Sequence, residues 1–236
     1  MVFGVRPVGE VLGRADRPVA RLLVTSGERL DGLVARAETR GVAVERVDRD
    51  ALSTLCGSDS HQGVAVVVSG GFPYVALEDL VELEQPLLLV VDGVTDPQNL
   101  GAMIRSALVF GATGLVLPRD RCCGVTSTVV RVSAGAAEHL PCAQVTNLVR
   151  ALDQLKEANV WVAGTVERGG QDPAAARLDG ALALVLGNEQ RGLRRLVLRA
   201  CDLQLTIPSA GAIASLNVAA ATAALFHEVA RQRRAW

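Results

Sequence analysis

After Pro86 the chain falls into a repeating pattern of short apolar runs and longer stretches with helical spacing. The runs are Leu87–Val91, Gly114–Leu117, Val160–Ala163, Leu182–Leu186 and Leu203–Ile207. The two Leu-rich runs, LLLVV and LALVL, are apolar at every position. A strand of that kind buries both faces, which places it inside a parallel sheet covered on each side by helices. The intervening stretches Leu100–Phe110, Ser127–Ala136, Asn147–Ala158 and Leu216–Arg231 carry apolar residues at helical spacing and predict those helices.

The first 70 residues predict a separate small α/β unit. Arg21–Thr25, Val42–Val47 and Val64–Val68 read as strands, and Leu30–Thr39 and Asp50–Leu55 as helices. Gly70, Gly71 and Pro73 then open a seam that Pro86 closes, holding an acidic amphipathic helix or linker. The expected organisation is a unit over 1–70, a linker over 71–86 and a parallel-sheet α/β unit over 87–236.

Composition changes this picture little. With 236 residues, half of them hydrophobic, the chain can bury a sizeable core. No apolar run approaches the roughly 20 residues that span a bilayer, so no membrane partner is expected. MVFGVRPVGE lacks the features of a secretory leader, and the expected location is cytoplasmic. The five cysteines form no C-x-x-C pair, which favours reduced, buried thiols, and the three scattered histidines complete no zinc motif; no metal is expected.

A net charge of −1 argues against nonspecific adhesion to nucleic acid. Yet Lys156 is the one lysine among 24 cations, and arginine forks suit phosphate contacts. A base-composition bias in the genome would produce the same preference. Aromatic residues are 3% of the chain, which weighs against modules that stack bases on aromatic platforms.

Ligands of parallel α/β sheets sit at the carboxyl ends of the strands, and polar residues gather after three of these runs. DGVTDPQNLGAMIRSALVFGA spans residues 92–112; Asp96 or Asn99 can cap its helix and Pro97 suits a first turn. Arg105 lies off the apolar stripe, about 100° from Ile104, free to face the strand ends or water. LVLGNEQRGL, at 184–193, sets Glu189 between two glycines, either beside a ligand or in an ordinary turn. In LTIPSAGAIASLNVAAATAAL, from 205, Ser215 is a natural N-cap, which leaves Asn217 without a capping reason; the alanines permit close helix packing. Arg191, Arg194, Arg195 and Arg199 form a basic cluster that suits RNA phosphate or a salt-bridged surface, and His61 and Gln62 in HQGV contact RNA or shape a turn. G-x-G-x-x-G after the first strand, a P-loop and G-x-S-x-G are all absent.

Taken together, DGVTDPQNLGAMIRSA, LVLGNEQRGL and IPSAGAIASLNVAAATAAL resemble the three motifs of the SpoU (TrmH) branch of the SPOUT RNA methyltransferases, in order and spacing. MVFGVRPVGEVL and HQGVAVVV resemble the small substrate-binding domain that precedes the catalytic domain, so nearly the whole chain is covered. SAGAAEHLP and VTNL bring it nearest the bacterial group acting on a guanosine ribose of 23S rRNA. Gln190 and Arg191 stand where relatives often carry small or acidic residues.

The resemblance implies a SPOUT fold with a C-terminal trefoil knot, a homodimer, and transfer of a methyl group from S-adenosylmethionine to a ribose 2′-hydroxyl, with no metal. It assigns catalysis to Arg105, with Asn99, Glu189, Ser215 and Asn217 orienting it and the target nucleotide. It assigns the cofactor to Thr165, Gly187, Asn188, Ile207 and Leu216. The implied partner is RNA, 23S rRNA or a ribosome-assembly intermediate, and not DNA. A tRNA or other rRNA ribose, or a non-catalytic RNA-binding assembly role, are the alternatives. Arg105 is either the base or a cation that stabilises the developing alkoxide; a guanidinium normally keeps its proton, which favours the second.

Overall fold

The structure is a computed structural model that describes residues 1–211 and 216–234. It divides into two compact units, one of Met1–Pro73 with Val125–His139 and one of Tyr74–Gly124 with Leu140–Trp236.

The first unit begins with β1 (Val2–Phe3), α1 (Val5–Gly13), β2 (Val19–Val24), α2 (Asp31–Thr39), β3 (Ala43–Arg46), α3 (Arg49–Cys56) and β4 (Val64–Val68). Its sheet has the order β1-β4-β2-β3, with β4 antiparallel to both neighbours and β3 parallel to β2. The strands and helices expected from Arg21 to Val68 are present within a few residues. β1 and α1 were not anticipated. Pro7 and Gly9 obscure the helical pattern of α1, but Pro7 lies in its first turn, where a missing N–H costs no helical bond. Phe3, Leu23, Leu52 and Ala65 close a small core. His61 is fully buried: its Nδ1 accepts the Gly63 N–H at 3.0 Å, and its Nε2 lies 3.0 Å from the Ser53 hydroxyl. It therefore shapes the turn, as one of its two sequence readings holds.

The second unit runs through β5 (Leu87–Asp92), α4 (Pro97–Val109) and β6 (Gly114–Pro118). The chain then supplies α5 (Ser127–Val132) to the first unit before continuing with β7 (Cys142–Val145), α6 (Leu148–Glu157), β8 (Trp161–Thr165), β9 (Leu182–Gly187), α7 (Arg195–Ala200), β10 (Leu203–Leu205) and α8 (Val218–Gln232). Its six strands take the order β10-β8-β9-β5-β6-β7, and every neighbouring pair is parallel. The two Leu-rich runs, β5 and β9, are adjacent central strands, buried at every residue.

Two expectations change, and two short elements were not anticipated. The helix read over Ser127–Ala136 stops at Val132, because Ala134 and Gly135 adopt positive φ values of 54° and 90°; a 3-10 turn, Ala136–Glu138, follows. The acidic stretch before Pro86 forms only a 3-10 turn, Glu78–Leu80, with Leu77 and Leu80 buried in the core of the second unit. Six residues make α7 and four make β7, too few to register as a periodic pattern. Since all six strands of the second unit are parallel, their carboxyl ends share one edge, where Asp92, Thr165, Leu205 and Gly187 terminate.

Candidate active site

Asp92 and Gly187 face each other as register partners at the ends of β5 and β9. The Asp92 carboxylate is 1% exposed and accepts two bonds from Arg194, the backbone N–H at 2.9 Å and Nε at 2.6 Å. One residue further along, Asn188 Nδ2 donates to the Gly93 carbonyl at 3.1 Å. The first and second polar clusters are thus laced together. Of the basic cluster, Arg194 is committed to this buried partner.

Residues 188–192 close a tight turn. The Gly192 N–H donates to the Asn188 carbonyl at 2.8 Å, the Gln190 N–H donates to Asn188 Oδ1 at 3.0 Å, and Gly192 takes φ +62°. A Cβ on Gly187 would lie 2.3 Å from the Gly192 carbonyl carbon. The turn therefore needs glycine at Gly187 for close approach, and it holds Glu189 at the strand ends.

The third cluster joins through side chains. Asn99 Nδ2 donates to Glu189 Oε1, and Asn217 Nδ2 donates to Asn99 Oδ1 at 3.0 Å. Asn99 follows the N-cap Asp96, whose carboxylate accepts the Gln98 N–H at 2.9 Å. Asn217 is the N-cap of α8, its Oδ1 accepting the Ala219 N–H at 2.9 Å. The sequence left Asn217 without a capping role; the structure gives it one, and the same amide caps with its oxygen and donates with its nitrogen. Ser215, read as the natural cap, lies outside the described residues, and the cap position of α8 belongs to Asn217.

Beside this chain opens a cavity of about 510 Å³, a size that accommodates small-molecule ligands. Thr165, Gly187, Asn188, Ile207 and Leu216 all line it. So do Val166, Glu167, Gln190, Arg191 and Pro208, which the sequence does not mark as cofactor residues. Glu167 lies two residues past the end of β8, at the same carboxyl edge as the polar clusters after β5, β9 and β10, and that position is the signal that could have found it. The cavity fits S-adenosylmethionine chemically: aliphatic walls from Leu205, Ile207 and Leu216 suit a purine, and Glu167 suits an ammonium or ribose hydroxyls. Gly187 lines this cavity while packing directly against the Gly192 backbone.

Arg105 is exposed on α4, outside the cavity lining, with no hydrogen bond or ion pair to any described residue. Burial pushes the thiols of Cys122 and Cys201 up to about 12, so neither is an ionised nucleophile at neutral pH. Among the described residues no three His, Cys, Asp or Glu side chains are grouped to share a metal ion, and no helix is long and apolar enough to cross a membrane.

Residues 86–227 match the family model described as the SpoU rRNA Methylase family, and residues 1–72 match the one for RNA 2′-O ribose methyltransferase substrate binding. The chain belongs to the SpoU rRNA methylase family. It is 38% identical over 239 aligned residues to the Escherichia coli K12 23S rRNA (guanosine-2′-O-)-methyltransferase RlmB, covering 99% of this chain and 98% of that one. Among solved structures, the SpoU methyltransferase AviRb of Streptomyces viridochromogenes in complex with AdoMet superposes with TM-score 0.85 at 28% identity, over 100% of this chain and 90% of that one. An AdoMet-bound rRNA methyltransferase from Sinorhizobium meliloti gives TM-score 0.81 at 27% identity, over 98% and 86%. The parallel α/β fold of the second unit is therefore the fold of SpoU methyltransferases.

Proposed function

We propose that this protein transfers the methyl group of S-adenosylmethionine to the ribose 2′-hydroxyl of a guanosine in 23S rRNA. The observation that carries the reading is the hydrogen-bonded series Asn217–Asn99–Glu189, drawn from three distant segments, whose member Glu189 lines the cavity. Its likeness to RlmB along almost the whole chain supports the rRNA target.

S-adenosylmethionine supplies, when bound, a methyl group already activated on a sulfonium. The protein's task is alignment, which can contribute on the order of 7 kcal/mol to lowering the barrier. Thr165, Gly187, Asn188, Ile207 and Leu216 hold the cofactor, with Ile207 and Leu216 packing against its apolar parts. The linked side chains of Asn99, Glu189 and Asn217 orient the target nucleotide, and Ser215 is assigned the same orienting role. Arg105 faces the RNA from α4 and stabilises the developing alkoxide as a cation, the proton passing to water. The enzyme works as a homodimer in the cytoplasm. Exposed Val109, 70% accessible, supplies apolar surface for that contact. The C-terminal segment threads a trefoil knot.

Incubating the protein with tritiated S-adenosylmethionine and unmodified 23S rRNA, naked or in assembly intermediates, tests the reading. Label at one guanosine 2′-oxygen is the expected result. Failure to label any RNA, with cofactor binding intact, overturns it.

A further inference from the structure

The first unit contains a second recess, of about 440 Å³, remote in sequence from the three motifs. It is lined by Phe3, Gly4, Arg6, Arg29, Gln62 and Arg131, among others. Three arginines reach it and no carboxylate does. That segregation is not a by-product of a basic surface, because residues 1–70 carry nine arginines against nine acids. Among the described residues Arg6 and Arg29 make no hydrogen bond or ion pair, and both are exposed. Arg131 is held in place instead of paired: its guanidinium carbon lies 5.0 Å from the centre of the Phe3 ring. A flat guanidinium laid on a ring leaves its N–H edge free for an anion.

The recess is also built at a backbone cost. Gly4, Gln62 and Ala134, all in its lining, adopt positive φ values of 97°, 56° and 54°. Gln62 and Ala134 are not glycines, so each holds an uncommon conformation. Gln62 Oε1 accepts the Val5 N–H at 2.9 Å and ties the β4 approach to the start of α1. Ser60 adds a hydroxyl to the wall.

We propose that this recess is an RNA-binding subsite that holds the phosphodiester backbone of a single-stranded segment through Arg6, Arg29 and Arg131. Three unneutralised forks around one cavity suit phosphate oxygens, which guanidinium groups bind with charge-assisted paired bonds. A single strand presents its phosphates to a recess of this size more readily than a duplex, whose backbone is held on a regular surface. Contacts of this kind fix register and carry no sequence information themselves. The subsite would therefore anchor the RNA while the motif-bearing unit selects the nucleotide. The inference rests on the proposed RNA-methylating function, and adds where a non-reacting part of the substrate is held.

The test measures binding of a fluorescently labelled, single-stranded RNA fragment to the full chain across a salt series. The proteins are wild type, Arg6→Gln, Arg29→Gln, the double variant, and Arg46→Gln as a control outside the recess. Both arginines are exposed, so the thermal midpoint and S-adenosylmethionine binding should match wild type. Each substitution is expected to weaken RNA binding about tenfold. Each should also make the slope of log K against log salt shallower by about 0.7, the value for one lost phosphate contact on a single strand, and the double variant by about 1.4. Arg46→Gln should leave both unchanged.

If the variants bind RNA with the wild-type affinity and slope, the subsite is overturned while the methyltransferase reading stands. Displacement of the RNA by inorganic phosphate at matched ionic strength would reassign the recess to a free anion, and also overturns it. Wild-type protein that binds no RNA at all would remove the premise and fail both.

Discussion

Asn99 sits at the middle of a hydrogen-bond series whose other members lie 90 and 118 residues further along the chain. A side chain so placed reports on convergence, whereas Arg105, on the same helix and exposed, is the cation proposed to act on the reacting oxygen. Arg105→Ala is expected to lower kcat by about 10²–10³, the usual loss for one preorganised charge-stabilising donor, with the Kd for S-adenosylmethionine unchanged. Arg105→Lys keeps the charge but loses the planar fork, and should recover only part of the rate. Recovery of full activity by lysine would argue for a bare point charge. Gly187→Ala addresses the cavity floor. Its methyl group would be driven into the Gly192 backbone at 2.3 Å, so the turn must move. A stability loss of about 1–3 kcal/mol is expected by chemical denaturation, together with weakened cofactor binding by calorimetry.

Among the helices, α8 joins stability to the site most directly, because its N-cap is also a member of the hydrogen-bonded series. Asn217→Ala should cost about 1 kcal/mol for the lost cap and also remove the donor to Asn99. Asn217→Asp separates these effects. Its carboxylate still accepts the Ala219 N–H, so stability should be retained, while the bond to Asn99 Oδ1 is lost and methyl transfer falls. Equal activity of Asn217→Asp and wild type would show that methyl transfer does not need that bond. The other end of α8 is fastened by Arg233, which donates to the carbonyls of Gln85, Pro86 and Gly180. These bonds tie the helix terminus to the entries of β5 and β9, so the helix capped by Asn217 is anchored where the two central strands begin.

The chain does not divide into two consecutive pieces. Residues 125–139 leave the parallel-sheet unit and pack with residues 1–73. Glu138 is 2% exposed there, with Arg17 Nε at 3.3 Å from its carboxylate and Arg14 Nη1 donating to its backbone carbonyl at 2.6 Å. Burial outweighs these cations and raises the Glu138 carboxyl above its ordinary value. The folded chain then holds that proton more tightly than the unfolded chain does. The contribution is greatest below the unfolded value of about 4.3 and is lost as pH rises through the folded value. Glu138→Gln lacks this titration. Its stability relative to wild type should therefore increase from acidic towards neutral pH, measured by urea unfolding at a series of pH values. A difference that stays flat with pH would mean that Glu138 titrates as a solvated carboxylate.

Apolar runs such as LLLVV and LALVL need no context to be read, because a strand buried on both faces writes its environment into every position. Local rules likewise mark Asp96 and Pro97 as a helix start. They do not reveal α1, whose proline is harmless only in its first turn, or the break at Ala134 and Gly135, which depends on backbone dihedrals. The family likeness brought Asn99, Arg105, Glu189 and Asn217 into one hypothesis, but spacing along the chain carries no distance between residues so far apart. The hydrogen bonds joining Asn99 to Glu189 and Asn217, the Asp92–Arg194 pair and the arginine-lined recess arise where separate segments meet. Local patterning dictates which segments are buried and helical or extended, because those preferences act over a few neighbouring residues. Which polar side chains share a partner follows only from how the folded segments pack, since hydrogen bonds depend on distances in space.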